Sequence, residues 1–410
     1  MKVIIQKFGG SSVATKESRQ AVIKKITKAK QKGYQVVVVV SAMGRSGDPY
    51  ATDTLINLVK RSQRMIETKE LDLLLSCGEV ISAVVLCSEI EEAGYSACCL
   101  TGPEAGIITD NSHGNARVLE VHPAEVQRML TQGKIVIITG FQGRTEDGKI
   151  STLGRGGSDT SAAAIGVALE AELVEIYSDV DGVKTADPRI FGEARTLDRI
   201  TYNELCQLAH EGAKVIHPRA VEIAMQQNVP VKICNTFSDH PGTLVTSGKA
   251  IYEQPTKIKD NIITGIAHIS NIAQIRIKIE SGAKKNNNVH KVYKLMADDN
   301  ISIDFIYTSL EEVIFTVREE VLEKAVRILE ENEIKPMVRA NCAKVAAVGA
   351  GMTGVPGVMA KIVAALDGNG IEILQSSDSY TSIWCLVDQK DLKKAIRALH
   401  GQFGLHERIG

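Results

Sequence analysis

Much of what would announce a function class is missing from this chain of 410 residues. Its eight cysteines form no CxxC pair and mostly lie in apolar stretches, which excludes a disulfide framework and points to a reducing, cytoplasmic compartment. His210 and His217 are spaced too widely for an HExxH zinc pair, so no protein-held metal is expected. A formal charge of -1 with no basic block gives nucleic acid and anionic membrane nothing to bind. Lys2 and Lys7 interrupt the first apolar strand, and the longest uninterrupted valine run is Val36 to Val40, so neither a secretory leader nor a membrane span is expected. No G-x-x-x-x-G-K-[ST] phosphate loop and no G-x-S-x-G nucleophile elbow stands where it would have to.

What is present is a 44% hydrophobic share, enough for sizeable cores, arranged in alternating units. VIIQKF, QVVVVVSA, YSACCLTG, KIVIITGF, LVEIYSDV and VPVKIC are apolar runs separated by amphipathic segments. That alternation predicts an α/β fold, a mostly parallel sheet sandwiched by helices, over residues 1–246, with ligands at the carboxyl ends of the strands. A polar, irregular stretch predicts a linker over 247–261. Beyond it the sequence nearly repeats at an offset of 70 residues: DDNISIDFI (298–306) matches GNGIEILQS (368–376), and IFTV (314–317) matches WCLV (384–387). Each copy reads strand, helix, strand, strand, helix, which predicts two ferredoxin-like βαββαβ modules, 262–340 and 341–410, with a regulatory or oligomeric role. VGAGMTG (348–354) imitates a dinucleotide fingerprint, but too little chain follows it for a Rossmann fold. Its glycines are better suited to shaping a small-ligand loop.

Chemistry concentrates in a few motifs. KFGGSS (7–12) sets Lys7 before Gly9 and Gly10 where an apolar strand gives way to a helix, which is either a tight turn or an anion site. GRGGSDTSA (154–162) is a second glycine loop running into an Ala-rich helix, with Ser158 or Asp159 as its expected N-cap. Arg155 suits a substrate carboxylate, and Asp159 beside a phosphate site must hold a cation, either Lys7 or a metal on the nucleotide. Glu79, inside the apolar run LLLSCGEVISAVV, needs a cationic partner, which a structural Arg or Lys or a substrate ammonium could supply. YSDVDGVKTADPR (177–189) is consistent with a loop over a base and ribose, and Lys214 in EGAKVIHPRA reads on its own as a solvated lysine. Two glycine loops, two lysines and a carboxylate clamp together suggest phosphoryl transfer to a small molecule, with no covalent nucleophile.

KFGGSS, SCGE, GRGGSDTSA, YSDVDGVKTADPR and GAKVIHPRA stand in the order seen in aspartokinases, enzymes of the amino-acid-kinase fold, and the two repeats resemble that family's tandem ACT modules. The resemblance spans nearly the whole chain and is strongest to the Bacillus-type, diaminopimelate-sensitive form. It implies phosphorylation of L-aspartate by ATP to 4-phospho-L-aspartate, the first step toward lysine, threonine, methionine and diaminopimelate, with Mg2+ arriving on the nucleotide. It further implies catalytic roles for Lys7 and Asp159, and ATP contacts at Lys7, Phe8, Gly9, Gly10, Ser158, Ser178, Asp179, Lys184, Asp187, Arg189 and Lys214. Aspartate would meet Ser41, Thr52, Glu79, Arg155, Gly156 and Gly157. The ACT modules imply a homodimer or higher assembly and an amino-acid effector, with diaminopimelate ahead of lysine and threonine also a candidate. Asn288, Ile301, Asp304, Val355, Asn369 and Ile371 are the expected lining. The second module keeps the proline and glycine of the ligand loop (Pro356, Gly357), whereas the first has Lys285 to Asn288 there. Kinases of the same fold acting on glutamate, acetylglutamate or UMP lack the SCGE and ACT features, and a non-catalytic sensor would not need to retain Lys7, Asp159 and Lys214.

Overall fold

The computed structural model describes residues 2–60, 66–213, 215–247, 262–279, 285–352 and 355–406. These fall into two units: 2–184, 196–210 and 215–247 form one, and 185–195, 211–213 and the residues from 262 onward form the other. The first unit contains strands β1 (Val3–Phe8), β2 (Gln35–Val40), β3 (Ala97–Leu100), β4 (Ile107–Thr109), β5 (Val118–Val121) and β6 (Ile135–Thr139). It continues with β7 (Gln142–Thr145), β8 (Ile150–Thr152), β9 (Leu173–Ser178), β10 (Arg199–Thr201), β11 (Val231–Asn235) and β12 (Thr243–Thr246). Eight of them make one sheet in the order β10-β12-β11-β9-β1-β2-β6-β3, parallel at every pairing but β11 with β12.

All six apolar runs seen in the sequence are strands of this sheet. Val36 to Val40 are completely buried, as expected where helices cover both faces and no side chain of the strand can reach water. Alternation along β1 sorts its residues between those faces. Ile4 and Phe8 pack into a core with Val22 and Ile26 of the helix Lys16–Gln31 and Leu86 and Ile90 of the helix Thr68–Glu92. Lys7 points the other way, toward the helix Gly157–Ala168. The four remaining strands form a small sheet, β5-β4-β7-β8, that has no counterpart in the apolar runs because each strand is only three or four residues long.

The helix Thr68–Glu92 is long and apolar enough to cross a membrane by length and composition. Its polar residues show it to be a core helix instead. Asp72, wholly buried, accepts hydrogen bonds from Gly114 N (3.1 Å), Thr152 N (3.0 Å) and the Thr152 hydroxyl, and meets His113 Nδ1 at 2.8 Å. One carboxylate thereby ties the helix to β8 and to the loop before β5.

The second unit has one six-stranded sheet, ordered β14-β15-β13-β16-β18-β17. Its strands are β13 (Gly265–Lys278), β14 (Asp304–Thr308), β15 (Glu312–Arg318), β16 (Met337–Val348), β17 (Gln375–Asp378) and β18 (Ser382–Asp388). The helices Lys285–Asp298, Leu322–Glu331, Val358–Asp367 and Leu392–Gln402 complete the repeat at its expected offset. Each copy contributes three strands, and the fourth strand of the βαββαβ plan is shared rather than private. β13 and β16 run antiparallel along one another through both modules. Ile266 packs with Val345, Ile362 and Leu399 in one core, while Ile275 and Ile277, further along the same strand, pack with Phe315 and Leu329 in the other.

Two expected boundaries change accordingly. The division between 340 and 341 falls inside β16, because that strand serves both modules. Thr185–Arg195 and Glu211–Ala213, expected within the catalytic segment 1–246, belong to the second unit. Ala186, Phe191 and Ala194 bury there beside Val358 and Leu399, and apolar side chains go where they are covered. Of the expected linker, all but Ser247 lies outside the described residues.

Replacing Asp72 by alanine would leave several buried donors unpaired. Asp72→Ala is expected to lower stability by about 3 kcal/mol. Chemical denaturation of the two proteins measures this, and a loss below about 1 kcal/mol would remove the pinning role from Asp72.

Candidate active site

The carboxyl ends of β1, β2 and β9 converge, as the parallel pairing requires. Lys7 Nζ lies 2.6 Å from Asp159 Oδ1, and each side chain is only 12% exposed. Asp159 sits in the first turn of the helix Gly157–Ala168, where the helix dipole favours an anion. The N-cap of that helix is Gly156 at φ 65°, not Ser158 or Asp159, because the chain turns through the left-handed region before the helix begins. Asp159 is therefore free to reach across to Lys7, and of the two cations open to it in the sequence the lysine is the one it holds.

Gly10 starts a short helix, and a side chain there would run to within 2.6 Å of the carbonyls of Ala42 and Gly44. The loop after β2 is thus drawn against the turn after β1. Gly9 N–H is directed at Tyr177 O, 3.4 Å away, a long bond that leaves this donor only weakly engaged. The Phe8 ring is wholly buried and stacked on Tyr177 with centroids 4.8 Å apart, so Phe8 meets a ligand with its backbone or not at all.

Glu79 is 2% exposed on the helix Thr68–Glu92. Its Oε1 accepts a hydrogen bond from Ala42 N at 2.9 Å, whereas its buried Oε2 has no partner among the described residues. Burial pushes its carboxyl up to about 8, against the weaker opposing pull of the Ala42 N–H. Among the described residues no Arg or Lys is paired with it. Ser41 adjoins Ala42 in the same loop, and Thr52 begins the helix Thr52–Lys60 a few residues further on. Arg155 has the opposite character. It is exposed in the Gly154–Gly157 loop and has neither a hydrogen bond nor an ion pair among the described residues. Ser158 follows, nearly buried, one residue before Asp159.

The remaining expected residues divide. Ser178 ends β9 and Asp179 follows it, exposed and paired with Arg45 at 2.8 Å. Lys184 reaches Thr196 Oγ1 at 3.3 Å, where the chain leaves the first unit and returns to it. Asp187 and Arg189 belong to the second unit, where they bond to each other at 2.7 Å. Lys214 lies outside the described residues. Three residues escaped the sequence reading: Ala42, whose amide meets Glu79, and His217 and Arg219, which touch the Arg155 loop. The last two stand in the HPR of a motif already singled out, and an arginine beside an apolar helix was the available signal.

In the second unit Val355 lines a cavity of about 540 Å³ with Met352, Val358 and Tyr380. Ile301 and Ile371, expected to line an effector site, are instead core residues, 5% and 4% exposed. Their aliphatic side chains fill the two module interiors. Asn369 bonds back to Ala365 O at 2.8 Å, and Asp304 accepts from Lys344 at 2.9 Å. The Asn288 side chain lies outside what is described.

Residues 2–235 match the amino acid kinase family, and 337–401 match the ACT domain. The chain is 49% identical to Aspartokinase 1 of Bacillus subtilis over 99% of its own length and 100% of that protein's. Among solved structures it is similar to E. coli aspartokinase III in complex with aspartate and ADP, at TM-score 0.78 and 22% identity over 98% of this chain and 99% of that one. It is equally similar to the same protein in complex with lysine and aspartate, at TM-score 0.78 and 23% identity over 98% and 100%.

Glu79 makes stability depend on pH. With its pKa raised to about 8 in the folded state, the protonated group favours folding below the ordinary carboxylate range, and that contribution is lost as pH rises through about 8. Glu79→Gln, a permanently neutral analogue, is expected to match the parent protein near pH 5 and to exceed its stability by more than about 1 kcal/mol at pH 9. Parallel denaturation curves for the two proteins would show no such divergence if Glu79 were ionised throughout.

Proposed function

Because this chain belongs to the amino acid kinase family and, within it, to the aspartokinases, we propose that Lys7, Asp159, Glu79 and Arg155 divide between them the transfer of a phosphoryl group from ATP to the side-chain carboxylate of L-aspartate. The products are 4-phospho-L-aspartate and ADP. A carboxylate is already anionic at neutral pH, so the acceptor oxygen attacks the γ-phosphorus without a general base. As that bond forms, the bond to the bridging oxygen breaks and its electron pair leaves with ADP. The difficulty is electrostatic, since two anions must meet and charge builds on the leaving oxygen.

Lys7 supplies the fixed positive charge for that step, and the 2.6 Å pair with Asp159 holds its ammonium at the end of β1. Gly9, Gly10 and Ser158 bring backbone donors and a helix N-terminus toward the phosphates. ATP carries its own divalent cation, which we take to be Mg2+ bound through phosphate oxygens. Among the described residues no group of three or more His, Cys, Asp or Glu is placed to hold an ion. Ser178, Asp179, Lys184 and Lys214 are assigned to the nucleotide. Asp187 and Arg189 are assigned to the nucleotide on the family resemblance alone.

The observation that carries the aspartate end is the lone Oε2 of Glu79, a buried carboxyl oxygen that would need a cation beside it to ionise. The α-ammonium of aspartate supplies one, Arg155 takes a substrate carboxylate, and Ser41, Thr52, Gly156 and Gly157 complete the pocket. The eight cysteines, all free thiols, support a cytoplasmic location. In the second unit, the cavity at Val355 suits an amino-acid effector: diaminopimelate first, then lysine, then threonine. The exposed edges β14 and β17 suit pairing with a second copy of the chain.

Hydroxylamine trapping of the acyl phosphate tests the reaction, and turnover with glutamate or UMP but not aspartate would overturn it. Lys7→Ala and Asp159→Ala are each expected to lower kcat by about a thousandfold, roughly 4 kcal/mol. Near-normal kcat with only a higher KM for ATP would make Lys7 a ground-state binder. Glu79→Gln and Arg155→Ala should instead raise KM for aspartate by about tenfold or more and leave ATP affinity measured without aspartate unchanged. Inhibition assays with the three amino acids, alone and in pairs, test the effector site. Val355→Trp, which fills the cavity, should abolish the inhibition, and inhibition unchanged in that variant would place the effector elsewhere.

A further inference from the structure

His217 and Arg219 touch the loop that carries Arg155. His217 is the N-cap of the helix Pro218–Gln226, with Pro218 at its first position, so the direction of the helix start is fixed by a rigid residue. Its side chain lies so close to Gly156 that a Cβ built on the glycine would come 2.2 Å from His217 Cβ. Gly156 at φ 65° is thus required twice, by its backbone and by its neighbour. Two residues on, the guanidinium of Arg219 donates to Leu153 O (3.1 Å) and to Ala116 O (2.7 Å). The loop is therefore gripped at Leu153 and Gly156, on both sides of Arg155, and Arg155 itself is left unpaired among the described residues.

Neither grip is an accident of a crowded surface. Arg219 is partly buried, and desolvation holds its guanidinium below its ordinary value, a cost that surface contacts do not repay. Burial likewise holds the His217 imidazole below its ordinary value. A planar fork that spans two carbonyls from different segments fixes distance and direction together, which a lysine ammonium cannot do.

We propose that Arg219, with His217, clamps the Gly154–Gly157 loop and sets the position of Arg155, which makes Arg219 a positioning residue for aspartate. This rests on the assignment of Arg155 to a substrate carboxylate.

The test is initial-rate kinetics and nucleotide binding on the full chain for Arg219→Gln, Arg219→Lys, Arg155→Ala and the double variant Arg219→Gln/Arg155→Ala. Arg219→Gln is expected to raise KM for aspartate about tenfold while ATP affinity in the absence of aspartate stays within about twofold. Arg219→Lys should recover part of that loss. In the Arg155→Ala background Arg219→Gln should add nothing, because the residue it positions is gone. If Arg155→Ala leaves KM for aspartate unchanged, the assignment of Arg155 fails. If Arg155→Ala raises KM and Arg219→Gln does not, the clamp alone fails. Effects that multiply in the double variant, or a parallel loss of ATP affinity, would make Arg219 a structural residue and overturn the proposal. Should Arg219→Gln not fold, Arg219→Lys carries the same comparison, with normal kinetics in that variant overturning the clamp.

Discussion

A single buried ion pair organises the catalytic unit. Lys7 and Asp159 are far apart in sequence, and each is put in place by its own element: the lysine by strand alternation in β1, the aspartate by the first turn of a helix. Withdrawing both charges from water is costly, and a pair of apolar residues of similar size would serve stability as well or better. In the proposed reaction the pair provides a cation at the end of the sheet whose position is set before a nucleotide arrives. An ammonium on a flexible stem loses much of its value if it must be ordered during the reaction, and Asp159 meets that cost during folding.

The two groups assigned to the aspartate end are electrically unfinished. Glu79 is buried and short of a cation, and Arg155 is exposed and short of an anion. Those two deficits are what the proposed zwitterionic substrate would fill. A site that leaves buried polar atoms unpaired in its empty state discriminates strongly, because a ligand lacking the complementary group leaves the penalty in place. The raised carboxyl of Glu79 is the mark of that penalty before the ligand enters.

The sequence made the long sheet and the two glycine loops legible because each rests on local rules: apolar runs of buried strands, and glycines where backbone approaches backbone. The pairing of Lys7 with Asp159 was legible only as one of two readings, the other being a metal on the nucleotide, since an aspartate in an expected phosphate loop would need a cation. Other features depended on partners distant in the chain. β10, β12 and the small sheet are strands of three or four residues with no periodicity to detect. Ile301 and Ile371 sit at corresponding places in the two repeats, but whether such a residue lines a cavity or fills a core is decided by what the facing helix presents. The Gly156 cap could not be read from the sequence either, because Ser158 and Asp159 are better caps by propensity and lost to a left-handed turn two residues before Ser158.

The interleaving of the two units has its own physical cause. Thr185–Arg195 carries Ala186, Phe191 and Ala194, and their burial partners Ile263, Ile266 and Leu399 all come after residue 246. Thr185 O accepts from Ile266 N at 2.8 Å, and Arg195 Nε donates to Leu405 O at 3.0 Å. Glu211 behaves in the same way. It pairs at 2.8 Å with Lys344, an ammonium only 3% exposed that also meets Asp304 and lies 4.8 Å from the centre of the Trp384 ring. A buried lysine with two carboxylates and an aromatic face is well compensated, and removing one carboxylate leaves it less so. A chain cut after Thr246 would therefore lose more than its regulatory modules. It would expose Phe191 and its neighbours to water and leave Glu211 without its cation, within the very segments that lead into Thr196 and Lys214. The compact sequence boundary between catalysis and regulation is thus not a boundary in the folded protein, where part of the regulatory core is written into the catalytic sequence.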